Sequence, residues 1–257
     1  MIMLHAQIEG KGKPLVLIHA FPLSSDMWKA QAGILKNKYT IILPDLPGFG
    51  KSQPQVKPSI PDMAKQLAQL LDHLQIKEPV IVGGLSMGGY VAFEFFRQFP
   101  ERLKGLLLFA TRANPDSPEA RENRFRAIEA IEKFGLETFV KKIIKSQLGK
   151  TTQEKHPEVM EQAVKIMLSN TPEAAIHALR AMAERRDSSE LPPQIKVPVL
   201  VLAGEEDTIC PAAEMRGMQE KISNSEFHAV SQSGHLINLE KPEVFQSLVD
   251  NYLKKHF

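Results

Sequence analysis

Short apolar runs recur along the chain at residues 15–19, 40–44, 80–83, 106–110, 197–203 and 226–230. Several are apolar on successive positions rather than alternate ones. That is the pattern of strands covered on both faces, and so of a mainly parallel sheet between helical layers. Between them, residues 60–74 and 90–98 carry the three-to-four spacing of helices with one apolar face. Residues 242–255 read as a closing helix with Pro242 at its start. Alternation of the two periods predicts a doubly wound α/β sheet.

One stretch breaks the rhythm. From Arg112 to about Leu191 no strand pattern occurs. Helices are predicted over 117–133, 136–146, 153–169 and 172–185, punctuated by Gly135, Gly149 and Pro172. The expected organisation is a core of residues 1–111 and 192–257 interrupted by a helical insertion, residues 112–191. A chain of 257 residues with 43% hydrophobic and 24% charged content is long and apolar enough to fold this way.

A net charge of +2 with no run of Lys and Arg excludes a phosphate-tracking surface, so no nucleic-acid partner is expected. Cys210 is the one cysteine, which rules out an internal disulfide and fits a reducing compartment. The opening residues Met1 to His5 lack the layout of a secretory leader. No apolar stretch approaches the roughly 20 residues that cross a bilayer. The expectation is a soluble, cytoplasmic protein without a membrane partner; oligomeric state is not legible.

The most informative stretch is Gly84-Leu85-Ser86-Met87-Gly88-Gly89, set between an apolar run and a helical one. A sharp strand–turn–helix corner strains its central residue and needs glycines beside it, because a Cβ would clash. Ser86 is then presented outward at a helix N-terminus, which is the geometry of a nucleophile elbow. A serine hydroxyl needs a base, and the base an orienting acid, here in the order Ser, acid, His. The run 199–204 is followed by Glu205-Glu206-Asp207; Asp207 is the preferred acid, with Glu205 and Glu206 as competitors. His235, in Ser233-Gly234-His235 after the last strand, is the expected base. An oxyanion hole would use the N–H of Met87 and that of Phe21 in the His19-Ala20-Phe21-Pro22 loop. Each such donor is worth about 2.7–4 kcal/mol of barrier. His19 is expected to brace that loop, and Trp28, Phe49 and Cys210 to be core residues.

Two other readings fall away. Gly50-Lys51-Ser52 lacks the earlier glycine of a phosphate loop, since position 45 is Asp45, and Gln53-Pro54-Gln55 cannot open the required helix. The eight histidines show no paired helical spacing, so no metal site is expected.

Taken together, the His19–Pro22 loop, the Asp45-Leu46-Pro47-Gly48-Phe49-Gly50-Lys51-Ser52 turn, the serine elbow, Gly204-x-x-Asp207 and Ser233-Gly234-His235 resemble the α/β-hydrolase family over nearly the whole chain. Ala20 stands where relatives more often carry glycine. Within the family the chain is most similar to small carboxylesterases and 3-oxoadipate enol-lactonases. The resemblance implies a cofactor-free serine hydrolase acting on a small-molecule ester or lactone, with residues 112–191 as a cap. It leaves open carbon–carbon bond hydrolysis, cofactor-free perhydrolysis, and a slow-turnover ligand-binding receptor. It also implies that some of Phe125, Phe134, Phe139, Met160 and Met167 line an acyl pocket. For a substrate bearing a carboxylate, Arg112, Arg124 or Arg180 would be the anchor.

Overall fold

The computed structural model describes residues 4–257. Seven strands form one sheet: β1 (Ala6–Glu9), β2 (Lys13–Ile18), β3 (Tyr39–Pro44), β4 (Val80–Leu85), β5 (Leu103–Phe109), β6 (Val199–Gly204) and β7 (Ser225–Val230). Their spatial order is β1-β3-β2-β4-β5-β6-β7. All neighbours run parallel except β1, which pairs antiparallel with β3. The six parallel strands coincide with the six apolar runs. Every residue of β4 and β6 is buried, as strands covered on both faces must be. β1 is new relative to the sequence reading. As a half-wet edge strand with Ile8 exposed, it carries no apolar run to announce it.

Helices α1 (Lys29–Leu35), α2 (Ile60–His73), α3 (Met87–Gln98), α8 (Ala212–Gln219), α9 (Ile237–Glu240) and α10 (Pro242–His256) cover the sheet. The helical stretch between β5 and β6 holds α4 (Pro118–Gln147), α5 (Lys150–Lys155), α6 (Pro157–Leu168) and α7 (Pro172–Ala183), with no strand among them. Local chemistry sets their starts. Ser59 and Asp62 form a reciprocal capping box on α2, Ser117 accepts from the Ala120 N–H, and Thr171 accepts from the Ala174 N–H. Gly135 (φ 80°, ψ 164°) breaks α4 where two helices were expected.

The helix expected over 153–169 is instead two, α5 and α6. Pro157 disfavours a helical conformation at His156, which sits at φ −132°, ψ 63°, and then opens α6. Beneath the sheet, Trp28, Phe109 and Phe245 pack with ring centroids 4.8–6.0 Å apart and join β5 to α10. Among the described residues no helix is long and apolar enough to cross a membrane.

Candidate active site

Ser86 joins β4 to α3 at φ 54°, ψ −112°, a costly conformation for a residue with a Cβ. Hydrogen bonds to its backbone hold it there. Its N–H donates to the Phe109 carbonyl at 2.9 Å, and its carbonyl accepts from the Gly89 N–H and from Thr111 Oγ1, both at 2.9 Å. The flanking glycines are steric requirements. A Cβ on Gly84 would overlap the Gly88 carbonyl, and one on Gly88 would overlap the Ile18 carbonyl at the end of β2.

The loop after β2 lies beside this corner, because β2 pairs with β4 up to Ile18 opposite Gly84. The chain reaches β3 on one side of β2 and β4 on the other. The crevice at the strand ends between β2 and β4 is therefore the topological switch point where open α/β sheets bind ligands. Both Phe21 and Ser86 sit at that point. Buried His19 braces the loop: its Nε2 accepts from the Leu46 N–H at 3.0 Å, so Nδ1 carries the proton donated to the Ala20 carbonyl at 2.9 Å. Burial is the main reason its pKa lies below the ordinary histidine value. Among the described residues, neither the Phe21 nor the Met87 N–H has a hydrogen-bond acceptor. Asn170, after α6, donates to the Pro22 carbonyl at 2.9 Å and accepts from the Gly50 N–H at 2.8 Å. It ties the helical stretch to this loop, and nothing in its sequence context marks it.

Asp207 follows β6 and His235 follows β7, so both lie at the same edge of the sheet as Ser86. His235 Nδ1 and Asp207 Oδ2 are 2.8 Å apart in a buried pair. Asp207 Oδ1 accepts from the Ile209 and Cys210 N–H groups at 2.7 and 3.0 Å. Burial pushes the Asp207 carboxyl up, but the His235 charge, its hydrogen bond and the two amides outweigh it, leaving the pKa below the ordinary value. An ionised Asp207 can only accept, so Nδ1 carries the proton and Nε2 is left with a free lone pair. Of the three candidate acids, Glu205 is exposed and Glu206 accepts from Thr151, so Asp207 alone meets the imidazole. No hydrogen bond links Ser86 Oγ to the ring among the described residues, and contacts of this kind commonly close only with substrate bound.

The Cys210 thiol lies within 4.8 Å of ligand atoms of Asp207 and His235. Burial pushes its pKa up to about 12, so it is a neutral thiol, and the Asp207 oxygens are already engaged; the trio does not fit a metal. Arg124 is committed to Asp116, which it shares with Arg185. Arg112 faces Cys210 and, at 3.5 Å, Glu214, and lines a 340 Å³ cavity that Ser86 does not line. In the helical stretch, Phe139 packs 6.2 Å from Phe21, whereas Phe134 is exposed. Sequence reasoning missed Glu240, a buried acid whose only signal is its place in the apolar run Leu236-Ile237-Asn238-Leu239.

The sequence profile of a family described as "alpha/beta hydrolase fold" matches residues 13–242. A thermophilic esterase from Thermogutta terrifontis, solved with malate bound, is 42% identical; the alignment covers 99% of this chain and 94% of that one, with a TM-score of 0.95. The 3-oxoadipate enol-lactonase 2 of Acinetobacter baylyi is 27% identical over 94% of this chain and 88% of its own. The pimeloyl-[acyl-carrier protein] methyl ester esterase of Legionella pneumophila (strain Corby) is 28% identical over 98% and 99%.

Proposed function

Because the chain belongs to the α/β-hydrolase fold family, we propose that it is a serine hydrolase of small carboxylic esters or lactones. The observation that carries this reading is the buried Asp207–His235 pair at the sheet edge where Ser86 is held at positive φ. The named relatives, two esterases and an enol-lactonase, share cleavage of an acyl carbon–oxygen bond, and that common step is what transfers to this chain.

In this reading Ser86 Oγ attacks the substrate carbonyl while His235 Nε2 takes its proton. Asp207 keeps the imidazole in the right tautomer and stabilises the imidazolium. The free Phe21 and Met87 N–H groups receive the oxyanion. The alcohol leaves with the proton from His235, and the acyl group stays on Ser86. His235 then deprotonates a water as it attacks the acyl carbon, the acyl–Ser86 oxygen bond breaks, and His235 returns the proton to Ser86 Oγ as the acid leaves. Residues 112–191 act as a cap, and Asn170 and Phe139 set its position over the oxyanion loop.

The decisive measurement is mass mapping after incubation with a fluorophosphonate, beside turnover of an ester and lactone panel of graded acyl length. The expected result is one adduct on Ser86 and steady hydrolysis of short acyl chains. An adduct without turnover would indicate a ligand-binding receptor, and no adduct on Ser86 would end the serine-hydrolase reading.

A further inference from the structure

We propose that Glu240 is the positioning residue of His235, and that it works by clamping the imidazole loop to the N-terminal turn of α5. The proposal rests on the reading of His235 as the base. Glu240 is buried at the end of α9, five residues after His235. Its Oε1 accepts from the Gly234 and Leu236 N–H groups at 2.9 and 3.1 Å, the two amides that flank His235. Its Oε2 accepts from the Gly149 N–H at 2.8 Å and from Thr152 Oγ1 at 2.7 Å. One carboxylate thus holds the backbone on both sides of the base and fastens it to the helical insertion.

The two segments meet backbone to backbone. A Cβ on Gly234 would overlap the Gly149 nitrogen, and the Leu236 N–H also reaches the Gln147 carbonyl at 3.2 Å. A second carboxylate does the same for the acid. Glu206, next to Asp207, accepts from the Thr151 N–H at 2.8 Å and from Thr151 Oγ1, and its own N–H donates to the Ser233 carbonyl at 2.8 Å. Adjacent residues Thr151 and Thr152 therefore anchor the acid loop and the base loop to one turn. That turn acts as a fixed abutment for the imidazole, so the insertion does more than roof the pocket.

Displacement of a catalytic group by about 1 Å can cost on the order of 100-fold in rate. Glu240→Gln keeps the shape but replaces one accepting oxygen with an NH2 group that faces N–H donors. Three quantities are measured per mole of folded protein: kcat and KM on a short aryl ester, the rate of fluorophosphonate labelling, and hydrogen–deuterium exchange of residues 233–237. The expected outcome is a fall in kcat of roughly 30- to 100-fold with KM within about threefold, labelling slowed in parallel, and exchange accelerated at least about tenfold. Thr152→Val, which removes one arm only, should lower kcat by roughly threefold to tenfold.

A merely structural role would lower the melting temperature yet leave kcat per folded mole and labelling within threefold of wild type, which overturns the proposal. If Glu240→Gln does not fold, Thr152→Val decides: unchanged kcat together with unchanged exchange overturns it. If wild type is not labelled at Ser86, the hydrolase reading fails, while exchange at residues 233–237 still decides whether the clamp exists.

Discussion

The corner at Ser86 and the loop at His235 are built by different forces. The corner is made of sterics and hydrogen bonds to backbone: glycines that admit no Cβ, and bonds to the main chain of Ser86 that hold it at φ 54°. The loop shares part of this frame, since a Cβ on Gly234 would meet the Gly149 nitrogen and the Leu236 N–H reaches the Gln147 carbonyl, but it also depends on buried polar groups. Buried carboxylates fix it, Asp207 gripping the ring and Glu240 the flanking amides. A steric corner is rigid because the alternatives collide. A polar cradle is rigid only while every donor has its acceptor, since an orphaned buried group costs free energy. Ser86 thus rests mainly on packing and His235 more on charge and hydrogen bonding, so the two halves should fail in different ways.

The largest expected effect tests the corner. Ser86→Ala should lower kcat by about 10⁶-fold with folding intact; residual turnover near wild type would mean that another group attacks. On the loop, Asp207→Asn should lower kcat by about 10⁴-fold, because the imidazole loses its enforced tautomer. The same variant carries a pH signature. The native Asp207 pKa lies below its unfolded value, so its contribution to stability is complete above the ordinary aspartate pKa of about 3.9 and is lost as pH falls through the depressed native value. The gap in urea midpoint between wild type and Asp207→Asn should therefore narrow below about pH 4. A gap constant through that range would show that the carboxylate is not held by charge.

Gly88→Ala should cost roughly 3 kcal/mol in urea unfolding, because the new methyl meets the Ile18 carbonyl and neither backbone can yield. A loss below about 0.5 kcal/mol, the scale of an ordinary surface substitution, would show that the corner is softer than its geometry implies. The smallest effect falls where the helical stretch after β5 meets the loop after β2. Asn170→Ala removes the ties to Pro22 and Gly50 and should cost about 1–3 kcal/mol, with a modest fall in kcat. Unchanged stability there would leave the loop after β2 supported by His19 alone.

The contrast also explains what could be read in advance. Sterics leave a local trace, because a glycine forced by a close approach stands in the sequence next to the residue it serves. Gly84 to Gly88 could be read that way, and so could the six parallel strands, whose double-sided burial writes itself as continuous apolar runs. The division of 153–169 at Pro157 is equally local, because a proline disfavours helix at the residue before it. Polar cradles leave no such trace. Glu240 meets Gly149 and Thr152 across about ninety residues, and Asn170 meets Pro22 across a longer span.

By itself, then, the sequence determined the alternation of strand and helix, a strand-free helical stretch between β5 and β6, and a serine corner followed by an acid and a histidine in order. Each of these depends on neighbours along the chain. Only the tertiary structure decided that Asp207 rather than Glu205 or Glu206 meets His235, that Arg124 is committed to Asp116, that an edge strand begins the sheet, and that Glu206 and Glu240 join the loops of Asp207 and His235 to the first turn of α5. Those outcomes depend on which buried donors find which acceptors once distant segments pack, and composition and spacing do not encode that pairing.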